Sequence, residues 1–147
     1  MAETYCYTMD MYPQQYEDVN RVHHFYEVLR EQSKLITTKC VDCGAVLWPP
    51  RVVCRECLSD NLEWVDLPEE GTISSFSVSV AGVAPQFKPP VIYSVIDFEN
   101  GVRIVSPIVD TDPEDIEVGK KVVLQPVDVP PDHLGRKRVM FFFKLKK

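Results

Sequence analysis

Two CxxC pairs, Cys40 with Cys43 and Cys54 with Cys57, stand ten residues apart and constrain this chain more than any other feature. Each CxxC turn can aim two thiolates at one point, and two such knuckles facing each other complete a tetrahedron of sulfur ligands suited to one Zn2+. Rubredoxin-type iron takes a similar ligand set, and two disulfides are the other alternative. Zinc is expected, because paired CxxC spacing favours metal in a chain with no sign of secretion. Gly44 follows the first knuckle and can supply a positive φ there. Leu58, in the equivalent place, lacks that freedom, so the second knuckle is expected to be built differently. Four thiolates and one dication leave a net charge of about −2, which Lys39, Arg51 and Arg55 lie close enough in sequence to offset. Catalytic zinc keeps one coordination position open, and four cysteines close it, so the metal reads as structural.

The chain has 147 residues, 45% of them hydrophobic, which allows one modest core with a small appendage. Its opening residues, Met1 to Cys6, lack a basic stretch followed by an apolar run, and no segment approaches the roughly 20 apolar residues that span a bilayer. A cytoplasmic protein without membrane contact is expected. The net charge of −6 gives no general attraction to nucleic acid. It conceals an asymmetry, because Arg136, Lys137, Arg138, Lys144, Lys146 and Lys147 follow the last acidic residue, Asp132.

From Pro13 to about Gln32 the pattern is helical, with Val22, Phe25, Tyr26 and Leu29 on one apolar face. The small ribbon offers little surface to cover that stripe, so part of it is expected to dock on a larger partner. His23 and His24 read as surface or interface residues, and Cys6 as a spectator. Trp48-Pro49-Pro50-Arg51 crosses between the knuckles, with Trp48 and Trp64 expected to cover a miniature core. Beyond Gly71 the period becomes twofold. Strands are expected at 72–80, 91–98, 102–109, 121–127 and 139–145, with a bulge near Ser74 and Ser75. A tight hairpin is expected at Asn100-Gly101 and a helical turn at 112–116. Five strands fit a small Greek-key barrel of the OB type. The fold class is therefore mainly β with an N-terminal helix: a helical segment over 1–35, a rubredoxin-like zinc ribbon over 36–68 and an OB-fold domain over 69–147.

In OB barrels, ligand loops follow the first and fourth strands, here 81–90 and 128–138. With the ribbon crossing they offer Arg51, Phe87, Lys88, Arg136, Lys137 and Arg138 for an anionic, partly apolar ligand. The sequence shows no glycine-rich phosphate loop, paired-carboxylate motif or recognisable Ser-His-Asp context, so no catalytic residue is assigned.

The segments Phe25-Tyr26-Glu27-Val28-Leu29-Arg30-Glu31, Cys40-Val41-Asp42-Cys43-Gly44 and Trp48-Pro49-Pro50-Arg51, followed by Cys54 and Cys57, resemble the zinc-ribbon and OB-fold proteins that accompany thiolases and related acyl-CoA enzymes. The resemblance continues through Gly71-Thr72-Ile73-Ser74-Ser75-Phe76, Pro89-Pro90-Val91, Glu99-Asn100-Gly101-Val102-Arg103 and Ile116-Glu117-Val118-Gly119-Lys120. Arg55 departs from it, standing where such proteins usually carry proline. The resemblance implies a non-catalytic subunit that docks on a thiolase-like partner and helps to hold or channel an acyl-CoA. A nucleic-acid-binding ribbon and barrel is the alternative. The mostly acidic barrel disfavours it, because single-strand binders combine a positive groove with stacking aromatics.

Overall fold

A computed structural model describes residues 22–147. Cys6 and the expected helical residues before Val22 lie outside the described residues. Helix α1 covers His23–Gln32 and ends at Ser33, which adopts a left-handed conformation with φ 55°.

The ribbon is a three-stranded antiparallel sheet of β1 (Ile36–Cys40), β2 (Val46–Leu47) and β3 (Leu62–Asp66), with β1 in the middle. Five further strands follow: β4 (Glu70–Ser79), β5 (Val91–Asp97), β6 (Arg103–Ile108), β7 (Lys121–Val129) and β8 (Arg138–Leu145). They close into a barrel in the order β4-β5-β6-β8-β7, joined across the parallel β6–β8 seam by the Ile108–Phe143 pair. A ribbon followed by a closed five-strand OB barrel is thus the architecture expected from the sequence.

Local chemistry accounts for the turns and breaks. The β4–β5 register shifts between Ile73 and Ser75, which is the anticipated bulge. Gly101 takes φ 83° in the β5–β6 hairpin, and the Asn100 side-chain oxygen accepts from the Val102 amide. Residues 113–115 form only a turn, closed by the Asp115 amide donating to the Asp112 carbonyl, because no further backbone bonds extend it. Strand β7 runs two residues beyond the expected 121–127, since Asp128 and Val129 still pair with Val139 and Arg138. Gly71, the second residue of β4, stands where a side chain would strike Ile96 and Phe98.

One buried cluster joins all three parts of the molecule. It contains Phe25, Val28 and Leu29 of α1, Leu35 and Ile36 at the start of the ribbon, and barrel residues including Ile96, Ile104 and Phe143. This corrects the expectation that the helix needs outside cover. Leu29 is 1% exposed, Phe25 is buried, and Tyr26 packs partly buried against the same cluster. Ribbon residues Leu35, Ile36 and Trp48 cover part of the stripe, and barrel strand β8 adds to that cover, with Phe141 set edge-on to Phe25 at 6.1 Å between ring centres. Of the four residues proposed for docking, Phe25 and Leu29 are committed to the chain's own core, and only the half-buried Val22 and Tyr26 keep an outward portion.

Candidate metal centre

Cys40 ends β1, Cys43 lies in the turn after it, and Cys54 and Cys57 occupy the corresponding turn between β2 and β3. The four sulfur atoms lie within 4.8 Å of one another. Cys40 Sγ is 3.6 Å from Cys57 Sγ, and Cys43 Sγ is 3.6 Å from Cys54 Sγ. A tetrahedron with zinc–sulfur bonds of about 2.3 Å has sulfur–sulfur edges of about 3.8 Å. The cysteines are therefore spaced to bind one zinc ion. Two of them, Cys40 and Cys54, are buried, while Cys43 and Cys57 face outward.

Both knuckles have the same backbone. The Gly44 amide donates to the Cys40 carbonyl at 2.9 Å, and the Leu58 amide donates to the Cys54 carbonyl at 3.0 Å. Cys40 N donates to Ala45 O, and Cys54 N to Ser59 O, at 2.9 and 2.8 Å. Gly44 has φ 76° and Leu58 has φ 63°. The second knuckle is thus built like the first, contrary to expectation, and a leucine is held in a conformation that normally suits glycine. Asp42 ties the knuckles together: its carboxylate accepts from Ser59 Oγ and, at 2.9 Å, from Asn61 Nδ2. Those two bonds hold its pKa below the ordinary carboxylate range.

Without a cation the thiols do not ionise alike. The Cys57 amide, helped by the Glu56 amide, hydrogen-bonds the Cys54 sulfur and pulls that thiol down to about 7 against the opposing effect of burial. For Cys57, the Ser59 amide acts in the same direction, but Cys40, burial and the other two thiols outweigh it and push the group up to about 12. Four thiolates can be gathered here only around a compensating cation. The donor set thus fits zinc and leaves no coordination position for a substrate.

The ribbon crossing lies next to a second feature. Trp48, Pro49 and Pro50 join Val22, Phe25, Tyr26 and Phe141 around an apolar groove of about 280 Å³ where helix, ribbon and barrel meet. Trp48 stands edge-on to both Phe25 and Phe141, at 5.9 and 6.1 Å. The crossing is anchored by the Arg51 amide donating to Thr38 Oγ1 at 3.0 Å. The sequence favours for Trp48 the role of covering a small core over direct ligand contact and does not reveal this groove. Its one sequence signal is the Trp-Pro-Pro run, because the distant Phe141 completes it.

The residues considered for CoA separate into two regions. Arg51, exposed, follows the groove-lining Pro50, whereas Lys88 is exposed on the β4–β5 loop. Phe87 packs on Tyr93 and Phe142 at 6.3 and 6.0 Å, which pins that loop to β5 and β8. The basic run is less available than its sequence implies. Arg136 Nε donates to Asp132 Oδ2 at 2.8 Å, Lys137 lies 3.4 Å from Asp128, and Arg138 is 3% exposed and donates to the Pro130 carbonyl at 2.9 Å. Arg138 is therefore a structural residue, buried because the chain turns inward there to begin β8.

No helix among the described residues is long and apolar enough to cross a membrane. The ChsH2 rubredoxin-like zinc ribbon domain matches residues 29–63, and the ChsH2 C-terminal OB-fold domain matches residues 64–125. A DUF35 domain-containing scaffold protein of Methanothermobacter thermautotrophicus is 36% identical over 95 residues, covering 63% of this chain and 71% of that one. Its counterpart in Methanocaldococcus jannaschii is 33% identical over 97 residues, 64% of this chain and 68% of that protein. A probable enoyl-CoA hydratase alpha subunit of Thermomonospora curvata is 27% identical over 114 residues, 78% of this chain, which thereby spans about a third (36%) of that subunit. Among solved structures, an Ltp2-ChsH2(DUF35) aldolase chain shares the fold with a TM-score of 0.71 at 24% identity, covering 88% of this chain and 98% of the other. The two matched domains in series, together with scaffold relatives above 30% identity along two thirds of their length, place this chain in the DUF35 family of scaffold proteins, with a ribbon and barrel of the ChsH2 type.

Proposed function

We propose that this protein is a zinc-containing accessory subunit of an acyl-CoA enzyme, without turnover of its own, which docks on the catalytic subunit and helps to hold the acyl-CoA. The observation that carries this reading is the relation to a hydratase alpha subunit, in which 78% of this chain finds a counterpart inside a longer protein named for acyl-CoA chemistry. Membership of a family of scaffold proteins agrees with it. The finer reading is a thiolase-type partner, and it rests on the resemblance of the ribbon and barrel motifs to the subunits that accompany thiolases. The small zinc-containing subunit of benzoylsuccinyl-CoA thiolase is one such protein.

Physical features support the division of labour. The closed sulfur site offers no Lewis-acid position. The aromatic and proline groove beside the crossing offers apolar walls to a pantetheine arm or acyl chain, and Arg51 next to it supplies a cation for a phosphate. Lys88 is a second candidate cation, with Arg136 and Lys137 already engaged by carboxylates.

Purification of the native protein followed by mass spectrometry tests the reading. The expected result is a stoichiometric acyl-CoA enzyme subunit, with turnover in the complex and none from this chain alone. A purified single chain turning over 3-oxoacyl-CoA or enoyl-CoA at about 1 to 10³ per second would refute it.

A further inference from the structure

Four large apolar side chains are exposed around the metal centre: Val41, Val52, Val53 and Leu58. Each lies within two residues of a cysteine in the sulfur cluster, so all four surround one tip of the ribbon. Val41 and Leu58 lie on neighbouring stretches of backbone that are tied to each other. The Val41 amide donates to the Asn61 carbonyl at 3.0 Å, while Asp42, next to Val41, is bonded to Ser59, next to Leu58. Leu58 is 79% exposed and Val41 54%.

Leu58 is the most informative of the four. Its φ of 63° costs an L-residue conformational energy that glycine would avoid, as Gly44 does in the matching knuckle. Exposure means that its side chain returns little of that cost through contacts within the chain. Exposed apolar residues set on a hydrogen-bonded frame have the character of a preorganised anchor for another protein.

The tip also has a charge signature. Asp42, Glu56 and Asp60 are exposed there against Arg51, Arg55 and the half-buried Lys39, and Arg55 is already paired with Glu56 at 3.0 Å. Four thiolates on a dication add a net charge of about −2. The side chains thus balance, and the thiolate–metal unit leaves the tip net negative. A negative tip carrying apolar residues complements an apolar hollow edged by lysine or arginine, and it repels nucleic acid and anionic lipid. The geometry points to the zinc-knuckle tip as a docking surface for a protein partner of that chemistry, with Leu58 and Val41 as its anchors. This rests on the accessory-subunit reading, in which the partner is the catalytic subunit.

The test uses the enzyme subunit that co-purifies with the native protein, produced recombinantly, and measures its affinity for the full chain and for variants together with zinc content and thermal midpoint. Leu58→Gly should retain zinc and keep or raise the thermal midpoint, because the strain is relieved, while weakening the complex by about tenfold or more. Val41→Ser combined with Leu58→Asn should weaken it further, as asparagine also tolerates this backbone conformation. Val105→Ser, at an exposed apolar site on the barrel, should leave affinity unchanged. Raising the salt concentration should weaken the wild-type complex. A lower midpoint for Leu58→Gly would show that the leucine serves the chain's own fold, and affinity within about twofold of wild type would exclude the tip as the anchor. Loss of binding in Val105→Ser alone would move the interface to the barrel while leaving the accessory-subunit reading intact. Failure of any enzyme subunit to co-purify would overturn both.

Discussion

Replacing Gly71 by alanine should destabilise the barrel through a single methyl group. A Cβ built on Gly71 lies 2.2 Å from Ile96 Cγ2 and 3.2 Å from both Cε1 and Cζ of Phe98. Carbon atoms rest about 3.5 Å apart or more, so Ile96 must give way by about 1.3 Å. It has nowhere to go, being fully buried on β5 among the residues that bind helix, ribbon and barrel together. Overpacking of this kind costs about 1–3 kcal/mol. The reduced freedom of the unfolded chain returns about 0.4–1 kcal/mol. A net loss of about 1–2 kcal/mol follows, which for a chain of this size lowers the thermal midpoint by about 3–7 °C. Calorimetry of zinc-loaded protein measures it. Ile96→Ala alone should cost about 2–5 kcal/mol by leaving a cavity. The Gly71→Ala, Ile96→Ala double variant should be more stable than the sum of the two losses, because the new methyl enters the space vacated. An unchanged midpoint for Gly71→Ala, or strict additivity in the double variant, would refute the argument.

Three other outcomes follow from the metal centre and the loop after β7. Elemental analysis should find one zinc per chain, lost in Cys40→Ser and kept in Cys6→Ser, and zinc removal should withdraw on the order of 10 kcal/mol of folding free energy from the ribbon. Iodoacetamide should alkylate the four cysteines once zinc is removed and spare them in zinc-loaded protein, as peptide mapping can show, because the metal holds the thiolates and closes the knuckles over the buried Cys40 and Cys54. Asp132, 3% exposed at its side chain, resists the effect of burial because the Arg136 amide and guanidinium and the Leu134 amide hydrogen-bond it, leaving its carboxyl below the usual range. A depressed folded pKa contributes stability that is present above the unfolded value of about 4 and lost as pH falls through the folded one. Asp132→Asn should therefore lower the thermal midpoint at pH 7 and remove part of its fall below about pH 4, whereas an identical pH profile for the variant would contradict this account.

The features legible in the sequence are those whose causes are local. Four cysteines at CxxC spacing announce their own geometry, twofold alternation marks the barrel strands, and Asn100-Gly101 fixes the hairpin. The bulge at Ser74 was readable because Ile73 falls out of phase with Phe76 and Val78. What escaped depends on distant segments. The apolar stripe of α1 is visible in sequence, but nothing local says that β8 will bring Phe141 against Phe25. The same contact creates the groove at Trp48. Leu58 stands in sequence where Gly44 stands in the first knuckle, but only the structure shows that the turn keeps the same backbone bonds, from the Leu58 amide to Cys54 and from the Cys54 amide to Ser59, and holds the leucine at positive φ. Arg138 reads as an accessible loop cation, and only the path of the chain into the barrel shows it buried.

The single buried cluster shared by α1, the start of β1 and the barrel has a consequence for the life of the protein in a cell. Leu35 and Ile36 belong to that cluster and sit only a few residues from Cys40, so opening of the ribbon cannot stay local. A ligand that binds only the folded state stabilises everything that folds with it. Zinc occupancy therefore acts on the barrel as well as the knuckles, although no barrel residue belongs to the sulfur cluster. Proteolysis samples the unfolded fraction, and small changes in stability alter abundance several-fold. Metal supply would in this way set how many copies of the scaffold persist to be assembled, with the ribbon serving as a quality-control tag for the whole chain.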